Sequence, residues 1–170
     1  MAATELAGKI QTVLGPIDPG DLGVTITHEH LLLDLGCYFE LPDEASERGY
    51  VDAPLTMDLL SKALRFWAYN HDSQQMFDEA TAIREVSSFK HLGGNSVVEA
   101  TSIGIGRDPL AFARISRATG LNVIMGGSFY VPVSHPADMD ERTEDDIAAE
   151  IIRDVTVGVG ETGVRSGIIG

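Results

Sequence analysis

Basic residues are scarce in this chain: 12 Lys and Arg stand against 26 Asp and Glu, for a formal net charge of −14. Binding a nucleic acid backbone needs clustered Lys and Arg, so that class is excluded, and an anionic membrane surface would repel the chain for the same reason. Cysteine is nearly absent. The single Cys37 has no partner for an internal disulfide, which suits a reducing compartment, and no neighbouring Cys with which to share a zinc ion. It reads as a small apolar filler. Long apolar runs are also missing, and none approaches the ~20 residues that cross a membrane. Met1 to Ile10 contains neither a basic n-region nor an apolar h-region, so no secretory leader is read there and the expected location is cytoplasmic. Two common fingerprints are absent as well. Gly104-Ile105-Gly106 comes nearest to Gly-x-Gly-x-x-Gly but leads into Arg107, and no Gly-x-Ser-x-Gly elbow occurs, so dinucleotide and serine-hydrolase readings have little support.

What is present describes a soluble globular protein. The 170 residues are 44% hydrophobic, enough for one domain with a real core. The acidic excess favours solubility and attracts cations without specifying a substrate. The stretch around which the chain is organised is Gly23-Val24-Thr25-Ile26-Thr27-His28-Glu29-His30. It reads as a short strand, and strand side chains alternate faces, so His28 and His30 share one face while Glu29 takes the other. Two imidazoles held in that way can grip a divalent cation if other parts of the chain complete the coordination. Spacing alone equally allows two ordinary polar residues at a strand end.

Along the chain, Ile10 to Leu14 closed by Gly15-Pro16 and Asp18-Pro19-Gly20 suggests an N-terminal hairpin leading into the His-bearing strand. Gly36 to Asn70 is an irregular, long connection with a short helix over Met57 to Tyr69, and such connections are often functional. Its Trp67 reads as packing. Gln74 to Leu92 reads as a helix with Met76, Ala80, Ile83 and Val86 on one stripe, ended by Gly93-Gly94. His91 falls in its last turn, where its charged form meets the negative end of the dipole. Ser96 to Ala100 is a strand, Asp108-Pro109 opens a helix to about Thr119, and Asn122 to Gly126 is a third strand. Thr143 with Asp146 forms a capping box for a further helix with Ile147, Ile151 and Val155 on its core face, and Gly167 to Gly170 starts a fourth strand. This strand–helix alternation predicts parallel βαβ units, an α/β fold.

The residues now resemble a known family. Gly23 to His30 is similar to the signature of the phosphotriesterase family of the amidohydrolase superfamily. Ile105-Gly106-Arg107-Asp108, Gly127-Ser128-Phe129-Tyr130, and Gly158 to Gly170 with its Glu161-Thr162-Gly163 resemble further blocks of that family, in the same order. The resemblance implies a TIM-type (β/α)8 barrel with its active site at the C-terminal strand ends. It also implies His28 and His30 as ligands of the more buried of two divalent metals, usually zinc. A bridging carboxylate, either glutamate or carbamylated lysine, follows strand four in the family, with two further histidines and an aspartate from later strands. A metal-bridging hydroxide then attacks an ester, lactone or phosphoester centre. The sequence reaches Gly170 where that carboxylate belongs, so the expectation is an N-terminal half of about four β/α units over residues 1–170, without strands five to eight. The expected metal site is incomplete, with no catalytic residue of its own, weak metal affinity and little or no hydrolase activity in isolation.

For the full-length form the resemblance implies a small-molecule ester, lactone or phosphoester substrate, with lactone or carboxylic ester preferred, and a homodimer. The alternative is a non-catalytic half-barrel that associates with another chain. Phe129 and Tyr130 match a stretch that lines the substrate pocket in relatives. Glu99, mid-strand, could orient a metal-bound histidine from behind, but pairing with a base such as Arg165 is the favoured reading. His71 and His135 read as solvated, Arg107 as a brace for the loop after the second strand, and Asp108 as a helix cap.

Overall fold

The computed structural model describes residues 6–170; Met1–Glu5, half of the stretch read as leader-free, lie outside the described residues. The N-terminal hairpin forms as expected, with β1 (Ile10–Thr12) antiparallel to β2 (Gly15–Ile17). A four-stranded parallel sheet follows, built from β3 (Thr25–Glu29), β6 (Ser96–Glu99), β7 (Asn122–Gly127) and β8 (Ile168–Ile169), adjacent in chain order. Between them run α2 (Glu79–His91), α3 (Pro109–Thr119) and α4 (Glu144–Thr156). A parallel crossover needs a helix-length connection, and each of the three supplies one.

Local chemistry fixes the helix ends. The Asp78 carboxylate accepts from the Ala80 and Thr81 amides, so α2 begins at Glu79 rather than at Gln74. The residues before the cap are extended, and β5 (Gln75–Met76) pairs antiparallel with β4 (Leu33–Asp34). Asp108 caps α3 with Pro109 in its first turn, and Thr143 and Asp146 form the reciprocal box of α4.

The core lies between sheet and helices. Val97, Val123 and Met125 meet Ala82, Val86, Ala111, Phe112 and Ile115 there, and Phe112 is fully buried. This gives the face of the sheet that bears Val97 its identity as the helix face. The expected core face of α4 is half-buried, and its buried residue is Asp154. Its carboxylate meets the Arg107 guanidinium at 2.9 Å, both side chains nearly sealed from solvent, as an opposed ion pair without hydrogen-bond alignment. Arg107 thus braces the loop after β6 against α4.

The connection from Leu35 to Gln74, read as irregular, is closed at its base by β4 and β5 and by the Leu35 amide donating to Gln74 at 2.8 Å. Inside it, fully buried Asn70 donates to the Tyr50 and Ala53 carbonyls at 2.6 and 2.8 Å and accepts from the Ser73 amide. The expected helix over Met57 to Tyr69 is a short α1 (Leu60–Arg65) flanked by single 3-10 turns, because Phe66 leaves helical geometry at φ −130°.

Removing one partner of a sealed ion pair strands the other charge, at a cost of about 3–5 kcal/mol. Asp154→Ala should therefore lower the unfolding free energy by that amount in urea denaturation, and a loss below about 1 kcal/mol would show the pair to be solvent-screened.

Candidate functional site

The register of β3 against β6 is not regular. Thr25 pairs with Ser96 and Ile26 with Val97, but the next pair is Glu29 with Glu99, so β3 carries one extra residue between Ile26 and Glu29. Paired residues on adjacent strands share a face, and Val97 and Glu99 are two apart on the helix face. Ile26 and Glu29 therefore lie on that same face although they are three positions apart, which strict alternation forbids. Glu29 takes the helix face through its pairing with Glu99, so its two neighbours, His28 at the end of the bulge and His30 after it, flank it on the face turned away from the helices. Their rings stand edge to face with centroids 5.3 Å apart. His28 is exposed and His30 half-buried, so both rings reach solvent.

Behind His30 lies a set of hydrogen bonds at the end of β6. Glu99 is fully buried, one carboxylate oxygen accepting from the Leu31 amide and the other from the Thr101 amide at 2.9 Å. Arg165 plays no part, which corrects the expected pairing; the carboxylate is satisfied by backbone instead. Thr101, also fully buried, places its hydroxyl 2.9 Å from His30 Nδ1 and 2.9 Å from the Leu32 carbonyl. Sequence reasoning passed over Thr101. The available signal was two polar residues, Glu99 and Thr101, ending an otherwise apolar strand beside the His-bearing one.

Burial lowers the His30 pKa, and the neighbouring His28 lowers it further against an opposing effect of Glu29. The neutral ring with a free lone pair is thereby favoured. Among the described residues no group of three or more His, Cys, Asp or Glu is placed to hold a metal. The pair thus fits half of a zinc coordination sphere, which takes four ligands.

At the rim, Ser128 adopts φ +74°, uncommon for a residue with a side chain, and the next residue, Phe129, bridges to Ile103 of the neighbouring loop. Gly104 sits in that loop at φ +91°, where a Cβ would come within 2.0 Å of the Ser134 carbonyl oxygen; the two loops close on each other only with glycine there. Phe129 is half-buried, with the Arg142 guanidinium 5.3 Å above its ring and His135 edge-on at 6.1 Å. Arg142 is also paired with Glu150. Tyr130 is exposed and neighbours Tyr38, whose hydroxyl pKa is raised by burial first and by Tyr130 next. His71 stacks on Phe39 at 4.2 Å. His71 and His135 are half-buried, each with one aromatic ring beside it, so both remain partly in solvent. Cys37 is half-buried and unpaired, and Trp67 packs against Tyr38.

A cleft of about 610 Å³ lies on the opposite, helix-facing side of β3, lined by Ile26, Glu29, Met76, Phe77 and Phe89. It meets the histidine pair only at His30, so this concavity beside β3 is not where the candidate chemistry gathers. No helix among the described residues is long and apolar enough to cross a membrane.

Residues 8–170 match the profile of the phosphotriesterase family. An N-acetyltaurine hydrolase from Xenopus tropicalis is 36% identical over 173 residues, covering 98% of this chain and 48% of that protein. A resiniferatoxin-binding protein from Rhodobacter sphaeroides superposes with a TM-score of 0.92 at 38% identity, over 96% of this chain and 46% of that one. A PTE-like lactonase variant from Deinococcus radiodurans does so with a TM-score of 0.64 at 25% identity, over 94% of this chain and 44% of that one. The chain spans about half the length of the relatives it matches.

Burial dominates Glu99, pushing its pKa from 4.5 up to about 7 despite the Thr101 hydroxyl and two backbone amides that favour the carboxylate. Below pH 4.5 the group is protonated folded or unfolded and has no effect. Between 4.5 and 7 the unfolded chain releases the proton while the folded chain keeps it, so stability falls as pH rises, by about 3 kcal/mol in all. In urea denaturation the advantage of wild type over Glu99→Gln should shrink by about that amount from pH 5 to pH 8. A gap that stays constant with pH would contradict it.

Proposed function

The chain belongs to the phosphotriesterase family, and on that premise we propose that it carries the first metal-ligand pair, His28 and His30, of a metal-dependent hydrolase. The observation behind this reading is the pair of imidazoles 5.3 Å apart on one face of β3, with His30 fastened from behind. Residues 8–170 correspond in this reading to the N-terminal half of a (β/α)8 barrel, and strands five to eight of a full barrel supply the remaining ligands. His28 and His30 would hold a divalent ion, zinc in this proposal and one of two in a complete site, which when bound would supply a water of lowered pKa and polarisation of the bond to be cut.

The chain's own residues hold and orient. His28 and His30 present neutral ring nitrogens, since a protonated ring cannot ligate. Glu99 and Thr101 hold the backbone that follows β3. Phe129, its ring covered by Arg142, and Tyr130 form the wall past which a small substrate reaches the strand ends. Barrel enzymes carry their chemistry there, on the loops that follow the strands.

The substrate class is a small carboxylic acid derivative. An amide stands first, because the 36% identical relative is named as an N-acetyltaurine hydrolase. An ester or lactone stands next, supported by the 25% identical lactonase. The shift from ester to amide asks for no different metal pair, since both present a carbonyl for polarisation.

Two measurements test this. Zinc affinity of the chain, read by competition with a chromophoric chelator, should be weak and should fall at least about tenfold in His28→Ala and in His30→Ala, as loss of one of two protein ligands requires. Unchanged affinity in both variants would remove the metal assignment. Residues 8–170 grafted in place of the matching segment of the Xenopus relative should retain zinc-dependent release of acetate from an N-acetyl substrate. A folded graft that binds zinc and leaves amides and lactones intact would refute the hydrolase.

A further inference from the structure

The Thr101 hydroxyl stands 2.9 Å from each of two polar atoms, His30 Nδ1 and the Leu32 carbonyl oxygen, and also faces the Glu99 carboxylate. A hydroxyl has one proton to give. The carbonyl and the ionised carboxylate can only accept, so the proton must point to one of them; a proton turned to the ring instead would leave lone pairs facing each other in a buried site, at the full cost of an unsatisfied acceptor. With its proton committed, the oxygen is left as an acceptor toward His30. The Nδ1 atom must then be the donor and carry the ring hydrogen.

Thr101 is not free to choose otherwise. It is fully buried, its amide is held by Glu99, and the other oxygen of Glu99 holds the Leu31 amide beside Leu32. The end of β6 and the turn after β3 are thus fastened at three points, all within one residue of His30 or of the hydroxyl that touches it. We propose that Thr101 is the positioning residue that fixes His30 as its Nδ1–H tautomer, leaving Nε2 as the bare nitrogen that faces the metal. The partner of a ligating imidazole's second nitrogen sets its tautomer and ring orientation. The role of Nε2 as a ligand atom rests on the metal reading above; the tautomer itself does not.

The experiment keeps the two apart. In the 15N-labelled, metal-free chain, long-range proton–nitrogen correlation at neutral pH should show His30 as the Nδ1–H form. Thr101→Val removes the hydroxyl at nearly constant shape and should convert His30 largely to the Nε2–H form, with zinc affinity reduced about 10- to 100-fold. Thr101→Ser keeps the hydroxyl and should restore both readouts toward wild type, which a purely structural role of the side chain would not require. An Nε2–H form in wild type, or an unchanged Nδ1–H form in a folded Thr101→Val, overturns the proposal. If the tautomers behave as stated and zinc affinity is the same in all three proteins, the positioning of the ring stands and the metal reading of His30 falls. Should Thr101→Val fail to fold, Thr101→Ser decides: loss of the Nδ1–H form with the hydroxyl retained contradicts the assignment.

Discussion

One extra residue in β3 governs the candidate site. Ile26 packs toward the helices against the face that bears Val97, and in a regular strand His28 would follow it there. Imidazoles on that face would enter an apolar layer of Val86, Phe112 and Val123, where a polar ring without a partner is costly. The bulge lets the strand pack Ile26 toward the helices and still turn the rings of His28 and His30 to the open side. It also brings Glu29 to the helix face, against the cleft beside α2. A bulge next to a functional site that re-aims a side chain is a recurrent device of strands, and its effect here is to separate packing from chemistry within five residues.

The hydrogen bonds behind the bulge give that arrangement rigidity. Glu99 is a carboxylic acid in a fully buried position, kept there by two backbone amides of neighbouring segments. Its raised pKa shows that burial outweighs those bonds, so the fold carries an electrostatic cost at the foot of the site. Such costs concentrate at functional sites more often than elsewhere. The same economy is seen at the rim, where positive φ at Ser128 and the glycine-only approach of Gly104 to Ser134 aim Phe129 across the loops.

Much of this was legible in the sequence, and what was missed was missed for identifiable reasons. The parallel order followed from strand–helix alternation, and the caps at Asp108 and Thr143 from side chains whose bonds are local. The sharing of a face by His28 and His30 followed from alternation alone, although the bulge that decides which face did not. A bulge is a property of two strands in register, and Ser96–Glu99 lies about seventy residues from its partner. Distance in sequence also hid the partners of Glu99 and Thr101, the backbone of Leu31 and Leu32 and the ring of His30; backbone leaves no mark in composition. The start of α2 was placed too early because Met76 fits the helical stripe by spacing while actually pairing with Leu33. The segment from Leu35 to Gln74 looks irregular because its order comes from closure at its base and from two buried amides, Asn70 and Gln74, rather than from a repeating pattern.

The central claim is that β3 offers two ring nitrogens to one cation on the face away from the helices. Anomalous diffraction from crystals of the chain soaked in zinc tests it most directly. The account predicts a metal peak about 2.0–2.1 Å from Nε2 of both His28 and His30, with Thr101 still against Nδ1 of His30. A peak elsewhere, contact through Nδ1 of His30, or the two rings on opposite faces of β3 would contradict it.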